Sequence, residues 1–406
     1  MKRLALSIAM GICAAPIAQA TDWEVDLDLR LLNSDGLKSF LDGGPGELRY
    51  GADKSGVQLG RFRLALSQSI GELWSVHLDA SSWGDHDRNP IDLTEAYLLF
   101  RPFPFDGLRA RVRAGAFYAP ISLENRGPGW DSPYTLTPSA VNSWIGQELR
   151  TIGVEGQIDW LGTRTGHLFD VGLTGGVYGW NEPAGVALAN QGFMLDDRQT
   201  TLWGHVNRGS SEVHALDEFR QIDGKVGVYA GVEARYLDRL VVRALRYDNR
   251  ADPTEQDTVS HVFAWLTTFN SVGARLETGA GWTGIAQWLK GETTIEPRGN
   301  RLGYPFNAEF LLISKQTGRH TLSARYDKFD VYTSFTLPSG DDYAQYGHAW
   351  TVAYLFEPNA HWRFALEWLS VRTESALREQ LYGGPELLTE RKLEASFRYA
   401  FGSAVK

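Results

Sequence analysis

Lys392-Leu-Glu-Ala-Ser-Phe-Arg-Tyr-Ala-Phe401, close to the C-terminus, switches chemistry at every step. Leu393, Ala395, Phe397, Tyr399 and Phe401 fall on one side of an extended chain; Lys392, Glu394, Ser396, Arg398 and Ala400 fall on the other. One face is apolar and ends in aromatics, and the other is mostly charged. The stretch 23–32 repeats the pattern, with Trp23, Val25, Leu27, Leu29 and Leu31 set against Glu24, Asp26, Asp28 and Arg30. So do 167–180, 225–237, 347–356 and 361–373; in the last, Trp362, Phe364, Leu366 and Trp368 share a face. Period 2 is the signal of strands with two different surroundings. Stretches 239–249 and 282–293 alternate less cleanly, and their facing stays open.

Extended along the chain, this reading predicts sixteen strands: 23–32, 57–69, 72–83, 92–103, 108–118, 148–160, 167–180, 225–236, 239–249, 259–276, 282–293, 305–315, 319–330, 347–356, 361–373 and 389–401. Every second connection is short, such as Ile70-Gly71 and Leu237-Asp238, and the others are long, up to 181–224. Short turns at one end and long loops at the other mark an outer-membrane barrel. An even count puts both termini on the short-turn, periplasmic side. The physical reason for closure is that hydrocarbon offers no hydrogen-bond partners, so a spanning sheet must leave no edge. The fold class expected is therefore all-β, a transmembrane antiparallel β-barrel of about sixteen strands. A soluble sandwich also alternates, but strands this long and numerous fit one less well. Trp74, Trp282, Trp288, Trp350, Trp362, Trp368 and Tyr399 suit the two interfacial girdles.

Composition agrees and excludes other classes. The 406 residues include 43 Gly, 14 Trp, 16 Tyr, 19 Phe and one Cys, with 40 basic and 49 acidic residues for a net charge of −9. One Cys rules out a disulfide scaffold. An acidic chain with no basic block is a poor partner for nucleic acid. At 43% hydrophobic and 22% charged it is too apolar to be disordered. Residues 1–20 read as a signal peptide: Lys2 and Arg3, an apolar stretch, then Ala18-Gln19-Ala20 before the cleavage point. Cys13 lies in that stretch, and removal of its two bases takes the charge to −11.

A sixteen-stranded interior is wide enough for an aqueous channel. Arg109, Arg111 and Arg113 share the face opposite Leu108, Ala110 and Val112, and Arg61 and Arg63 form a second row. Three guanidiniums at period 2 span about 13 Å and would attract carboxylates or phosphates. Alternatively they pair with Asp79, Glu95, Asp26 or Asp28 on neighbouring strands and brace the wall. The loop 119–147 is dense in Pro, Gly and Trp, as a defined loop is. Gly115-Ala-Phe-Tyr-Ala-Pro-Ile-Ser-Leu-Glu124, with Arg150-Thr-Ile-Gly-Val-Glu155 opening the next strand, resembles the phosphate-selective porin O and P family. That resemblance implies a usually trimeric sixteen-stranded channel whose equivalent loop folds inward. It makes Pro120, Ser122, Glu124 and Arg126 constriction-loop residues, beside pore-lining arginines that draw in anions. The chain departs from the pattern in its nine lysines and net acidic balance.

Other motifs lose their meaning in context. Gly279-Ala-Gly281-Trp-Thr-Gly284 matches GxGxxG, but it makes a strand-to-strand turn with no helix to hold a pyrophosphate. The His residues are scattered and no GxSxG occurs, so no metal, cofactor or catalytic residue is assigned. Asp196-Asp197 and Asp341-Asp342 read as solvated loop pairs or as Ca²⁺ ligands. The expected function is an outer-membrane porin for small hydrophilic solutes, with an anion preference, and not an enzyme. Its expected partners are outer-membrane lipid and lipopolysaccharide, the barrel-assembly machinery and two further copies in a homotrimer. The alternatives are a barrel lipase or protease with Ser, His and an acid brought from distant strands, and an export or adhesion platform using loop 181–224.

Overall fold

The computed structural model describes residues 21–84, 91–206, 216–334 and 344–405; residues 1–20, read above as a signal peptide, and Asp341-Asp342 lie outside these. Sixteen antiparallel strands close into one barrel. They are β1 (Thr21–Ser34), β2 (Gly56–Ile70), β3 (Trp74–Ser82), β4 (Asp92–Phe100), β5 (Leu108–Phe117), β6 (Thr151–Trp160), β7 (Phe169–Gly179) and β8 (Gly227–Tyr236). They continue as β9 (Leu240–Asp248), β10 (Leu266–Glu277), β11 (Trp282–Ile295), β12 (Leu302–Thr317), β13 (His320–Val331), β14 (Gln345–Phe356), β15 (Trp362–Ser375) and β16 (Leu387–Phe401). A two-residue ribbon, His205–Val206 with Leu216–Asp217, stands apart from the barrel. Among the described residues no helix is long and apolar enough to cross a membrane. The strand read as 148–160 starts at Thr151, because Ser139 caps a helix α1 (Ala140–Glu148) by accepting the Asn142 N–H.

Turns follow from local chemistry. Gly281 closes the β10–β11 turn at φ +79, and a Cβ there would stand 2.4 Å from the Gln316 carbonyl oxygen. The GxGxxG match is thus a hairpin. Gly176 on β7 serves a different need, since a Cβ would collide with the Tyr229 ring at 2.3 Å. Outward faces carry the girdle aromatics: Trp74, Trp282, Trp288, Trp350, Trp362, Trp368 and Tyr399 are all 37–51% exposed.

The first and last strands meet in register, Asp28 opposite Arg398 and Arg30 opposite Ser396. Inside this seam, Arg398 Nη2 donates to Asp26 Oδ2 (3.0 Å), Ser396 Oγ to Asp28 Oδ1 (2.6 Å) and Arg30 Nη1 to Glu394 Oε1 (2.7 Å).

Candidate functional site

The interior divides into two levels. Toward the long loops, Phe117, Tyr178, Tyr229, Tyr247, Phe269, Leu289, Phe306 and Phe329 point inward and are buried. They form one apolar core with Leu48, Ile121, Leu123, Trp144, Ile145, Leu188, Phe193 and Leu195, which all come from loops. The expectation of an aqueous interior is corrected at this level, where three connections fold into the barrel and their apolar side chains displace water.

The segment 118–150 leaves the wall at β5 and reaches the far side. Leu123 N donates to Gln287 Oε1 on β11 (3.1 Å), Leu136 N to Glu367 Oε2 on β15 (2.6 Å) and Ala140 N to Asp327 Oδ1 on β13 (3.1 Å). Glu124 is its anchor. Arg325 on β13 gives Nη1 to Glu124 Oε1 (2.9 Å), Nε to Asp327 Oδ2 (2.7 Å) and further hydrogen bonds to the carbonyls of Thr137 (2.7 Å) and Pro138 (2.9 Å). Both members of the Arg325–Glu124 pair are wholly buried. Ser122 Oγ accepts the N–H groups of Glu124 and Asn125, and Arg243 reaches from β9 to the Pro120 and Ser122 carbonyls (both 3.0 Å). Arg126 donates to Tyr134 Oη (2.7 Å) and Glu277 Oε1 (3.0 Å). The structure therefore brings all four residues expected in this loop into the barrel. Trp144 of α1 packs against Phe269 and Phe306 at ring separations of 5.5 and 5.1 Å.

Loop 181–224, over its described residues before the short ribbon, is not the exposed surface the sequence suggested. Its first part, 181–204, crosses the interior: Thr267 Oγ1 donates to the Ala184 carbonyl, Phe193 N to Gln345 Oε1 (2.7 Å) and Leu202 N to the Leu93 carbonyl (2.8 Å). A short helix α2 (Val186–Gln191) lies on Glu148, which accepts the Ala187 N–H at 2.7 Å and the Trp144 Nε1–H at 2.6 Å. Asp196-Asp197 is a correction too, since neither is a solvated loop residue. Asp197 bridges Arg30 Nη2 (2.6 Å) and Arg49 Nη1 (3.0 Å). Burial works against its charge, but Arg30 and Arg49 win and hold it well below the usual carboxylate range. Asp196 accepts from the Gln147 amide and the Arg198 N–H, and burial with the adjacent Asp197 pushes it up to about 7. The apolar run Phe193-Met-Leu195 inside a long loop was the signal that could have marked this segment as buried.

The periplasmic level is polar. Register decides the fate of the arginine row, because Arg109, Arg111 and Arg113 face Asp159, Gln157 and Glu155 across β6. Arg109 forks onto Asp159 (3.0 and 2.8 Å) and Arg113 onto Glu155 (2.7 and 3.1 Å). Arg111 meets only an amide. Among the described residues it has no ion-pair partner, its Nε is buried without an acceptor, and with Gln157, Glu233, Arg235 and Arg243 it lines a cavity of about 50 Å³. Arg61 and Arg63 are bracing residues. Arg61 binds Asp131 of the inward loop through two hydrogen bonds (2.7 and 2.5 Å), and Arg63 binds Asp79 (2.7 Å), Glu24 (2.8 Å) and Asp26 (3.1 Å). Arg275, Arg363 and Arg398 complete the basic lining.

A hydrolytic site was the alternative. Ser67 Oγ lies 2.9 Å from His77 Nδ1 on adjacent strands. Nearby Asp79 is engaged by Arg63 and Thr94, and Glu95 accepts the Tyr118 N–H. Among the described residues no group of three or more His, Cys, Asp or Glu is arranged for a metal.

No protein-family model matches the sequence, and no curated protein matches it. Solved structures do. OmpT, an outer membrane protein of Vibrio cholerae that includes a trimer form, is 10% identical with a TM-score of 0.54, over 94% of this chain and 99% of that one. The outer membrane channel DcaP of Acinetobacter baumannii is 9% identical with a TM-score of 0.53, over 94% and 96%. An anion-selective porin from Comamonas acidovorans is 12% identical with a TM-score of 0.51, over 94% and 99%. At such identities the likeness establishes the fold, a porin-like outer-membrane barrel.

Proposed function

We propose that the chain is an outer-membrane diffusion channel for small hydrophilic solutes, biased toward anions, and that it works as a homotrimer. The observation that carries the anion bias is Arg111, a lumen guanidinium left without a carboxylate while both neighbours in its row are paired. An unpaired cation among low-dielectric walls concentrates counter-ions where Arg109 and Arg113, already neutralised, do not. Arg235 and Arg243 beside it share Glu233, and Arg235 also reaches Asp159 at 3.8 Å, which Arg109 already holds, so around the cavity four guanidiniums, counting Arg109 and Arg111, meet two acids. Solutes of the phosphate or carboxylate class match such a site through two-pronged hydrogen bonding. The segment 118–150 narrows the route, and its ion pairs set how far. The likeness to an anion-selective porin and to an outer membrane channel supports this reading. The test is the reversal potential of purified protein in planar bilayers under a KCl gradient. An anion-preferring potential that moves toward neutral in Arg111→Gln supports the proposal. The absence of conductance steps, or an unshifted potential in the variant, refutes it.

A further inference from the structure

The lipid-facing wall carries a feature that solute passage does not need. From β9 to β13 the outer surface is hollowed into an open, mostly apolar groove of about 550 Å³. Its floor is made of small residues, Ala274 paired with Ala286, and Ala286 faces Leu311. Trp288 on β11 and Tyr326 on β13 wall it in, and Val242 and Val272 close its other side.

Lys290 and Lys328 stand just beyond those walls, each two residues past its aromatic on the same outward face, toward the long loops. Both are exposed, and among the described residues neither has an ion-pair or hydrogen-bond partner. Lys290 faces Asn307, and Lys328 faces Glu309, two residues further along β12. The two lysines thus flank β12 with their Cα atoms about 12 Å apart, as strand spacing and rise require. Asn307 is held in place, accepting from Trp288 Nε1 (2.6 Å) and donating to Asp330 Oδ1 (3.2 Å). Glu309 lies between the lysines, so a small free anion meets a carboxylate along with two cations and gains little. An amphiphile differs, because its phosphates meet the lysines while an acyl chain fills the groove below the girdle.

We propose that this face is a binding site for a phosphate-bearing lipid of the outer leaflet, with its head on Lys290 and Lys328 and a chain in the groove floored by Ala274 and Ala286. The inference rests on the barrel's membrane setting and not on what crosses the lumen, so its failure leaves the channel reading intact. The test uses the full chain in a neutral detergent, with native mass spectrometry reading lipid retention. Three probes are added separately: lipid A, enzymatically dephosphorylated lipid A, and inorganic phosphate. Lipid A should be retained one to one. Retention should fall at least about tenfold for the dephosphorylated probe, for the Lys290→Gln/Lys328→Gln double variant, and for Ala286→Trp, which fills the groove and keeps the lysines. Both variants alter surface positions only, and heat-modifiable gel migration checks that each barrel is closed. Equal retention of the two glycolipids, no effect of the lysine changes, or displacement by inorganic phosphate would overturn the proposal. Loss of an oligomer in Ala286→Trp with lipid retention unchanged would overturn it in favour of a subunit contact.

Discussion

Replacing Arg325 by Met should release the inward segment 118–150 without opening the barrel. The guanidinium is wholly buried and holds two carboxylates and two loop carbonyls. Methionine roughly keeps the volume but leaves Glu124 and Asp327 facing each other without a cation. Removing one partner of a buried pair costs about 3–5 kcal/mol, because the remaining charge is stranded. Barrel strands are held by their own backbone ladders, so the cost falls on the packed state of the loop. It shifts the ratio of packed to released loop by about two to four powers of ten. Single-channel recording should then show larger or longer openings, and trypsin should cut at Arg126 in folded protein. Arg325→Lys, which keeps the charge and loses the planar fork, should fall between. Adding Glu124→Gln to Arg325→Met should cost less than the sum of the single changes, since the stranded charge is reduced. If Arg325→Met kept wild-type conductance and protease resistance, the loop would not depend on this anchor and the reasoning would fail.

Three further expectations follow from the same geometry. Burial and Asp197 raise the Asp196 carboxyl to about 7 in the folded protein, against an ordinary value of 3.8. Its protonated form is the favoured one, so its contribution is fully present below about pH 4 and is lost as pH rises through about 7. Protease sensitivity of segment 181–204 should therefore increase between pH 5 and 8 in the wild type and rise less in Asp196→Asn, where Glu182, which burial also raises to about 7, still titrates; equal slopes would exclude the mechanism. Arg63→Ala strands Glu24 and Asp79, while Asp26 keeps Arg398 and Arg61, and should lower urea resistance by about 3–5 kcal/mol with the reversal potential unchanged; a shifted potential would make Arg63 part of the selective path. Ser67 lacks an acid to orient His77, so a fluorophosphonate probe should not label it, and labelling abolished by Ser67→Ala would revive the hydrolase alternative.

What the sequence disclosed depended on what each strand meets inside. On β1 and β16 the inward residues are Asp26, Asp28, Arg30, Glu394 and Arg398, so lipid and interior differ in polarity and the alternation is sharp. On β9 and β11 the inward residues include Val241, Leu245, Tyr247, Ile285 and Leu289, which pack into the loop-filled core. Both faces are then apolar, and period 2 fades for a physical reason. The arginine row was legible as a row, but its chemistry was not, because pairing is a property of register. A single position decides that Arg111 faces Gln157 while its neighbours face acids. The inward course of 181–204 was hidden for a similar reason: no local turn signal says which side of a barrel rim a long loop will take.

The seam between β1 and β16 bears on the fidelity of barrel closure. Strands more than 350 residues apart in the chain are matched there by three charged or hydrogen-bonded contacts. A slip of one residue would turn Asp26, Asp28 and Arg30 out into hydrocarbon, where an arginine alone costs about 2–4 kcal/mol near the midplane. A slip of two would restore the facing, and in one direction it would set Arg30 directly against Arg398, while in the other Asp26 would meet Arg398 and Arg30 would meet Glu394. Charge at the seam thus rejects odd slips and one of the two even ones, and leaves the other to be excluded by the remaining ladder.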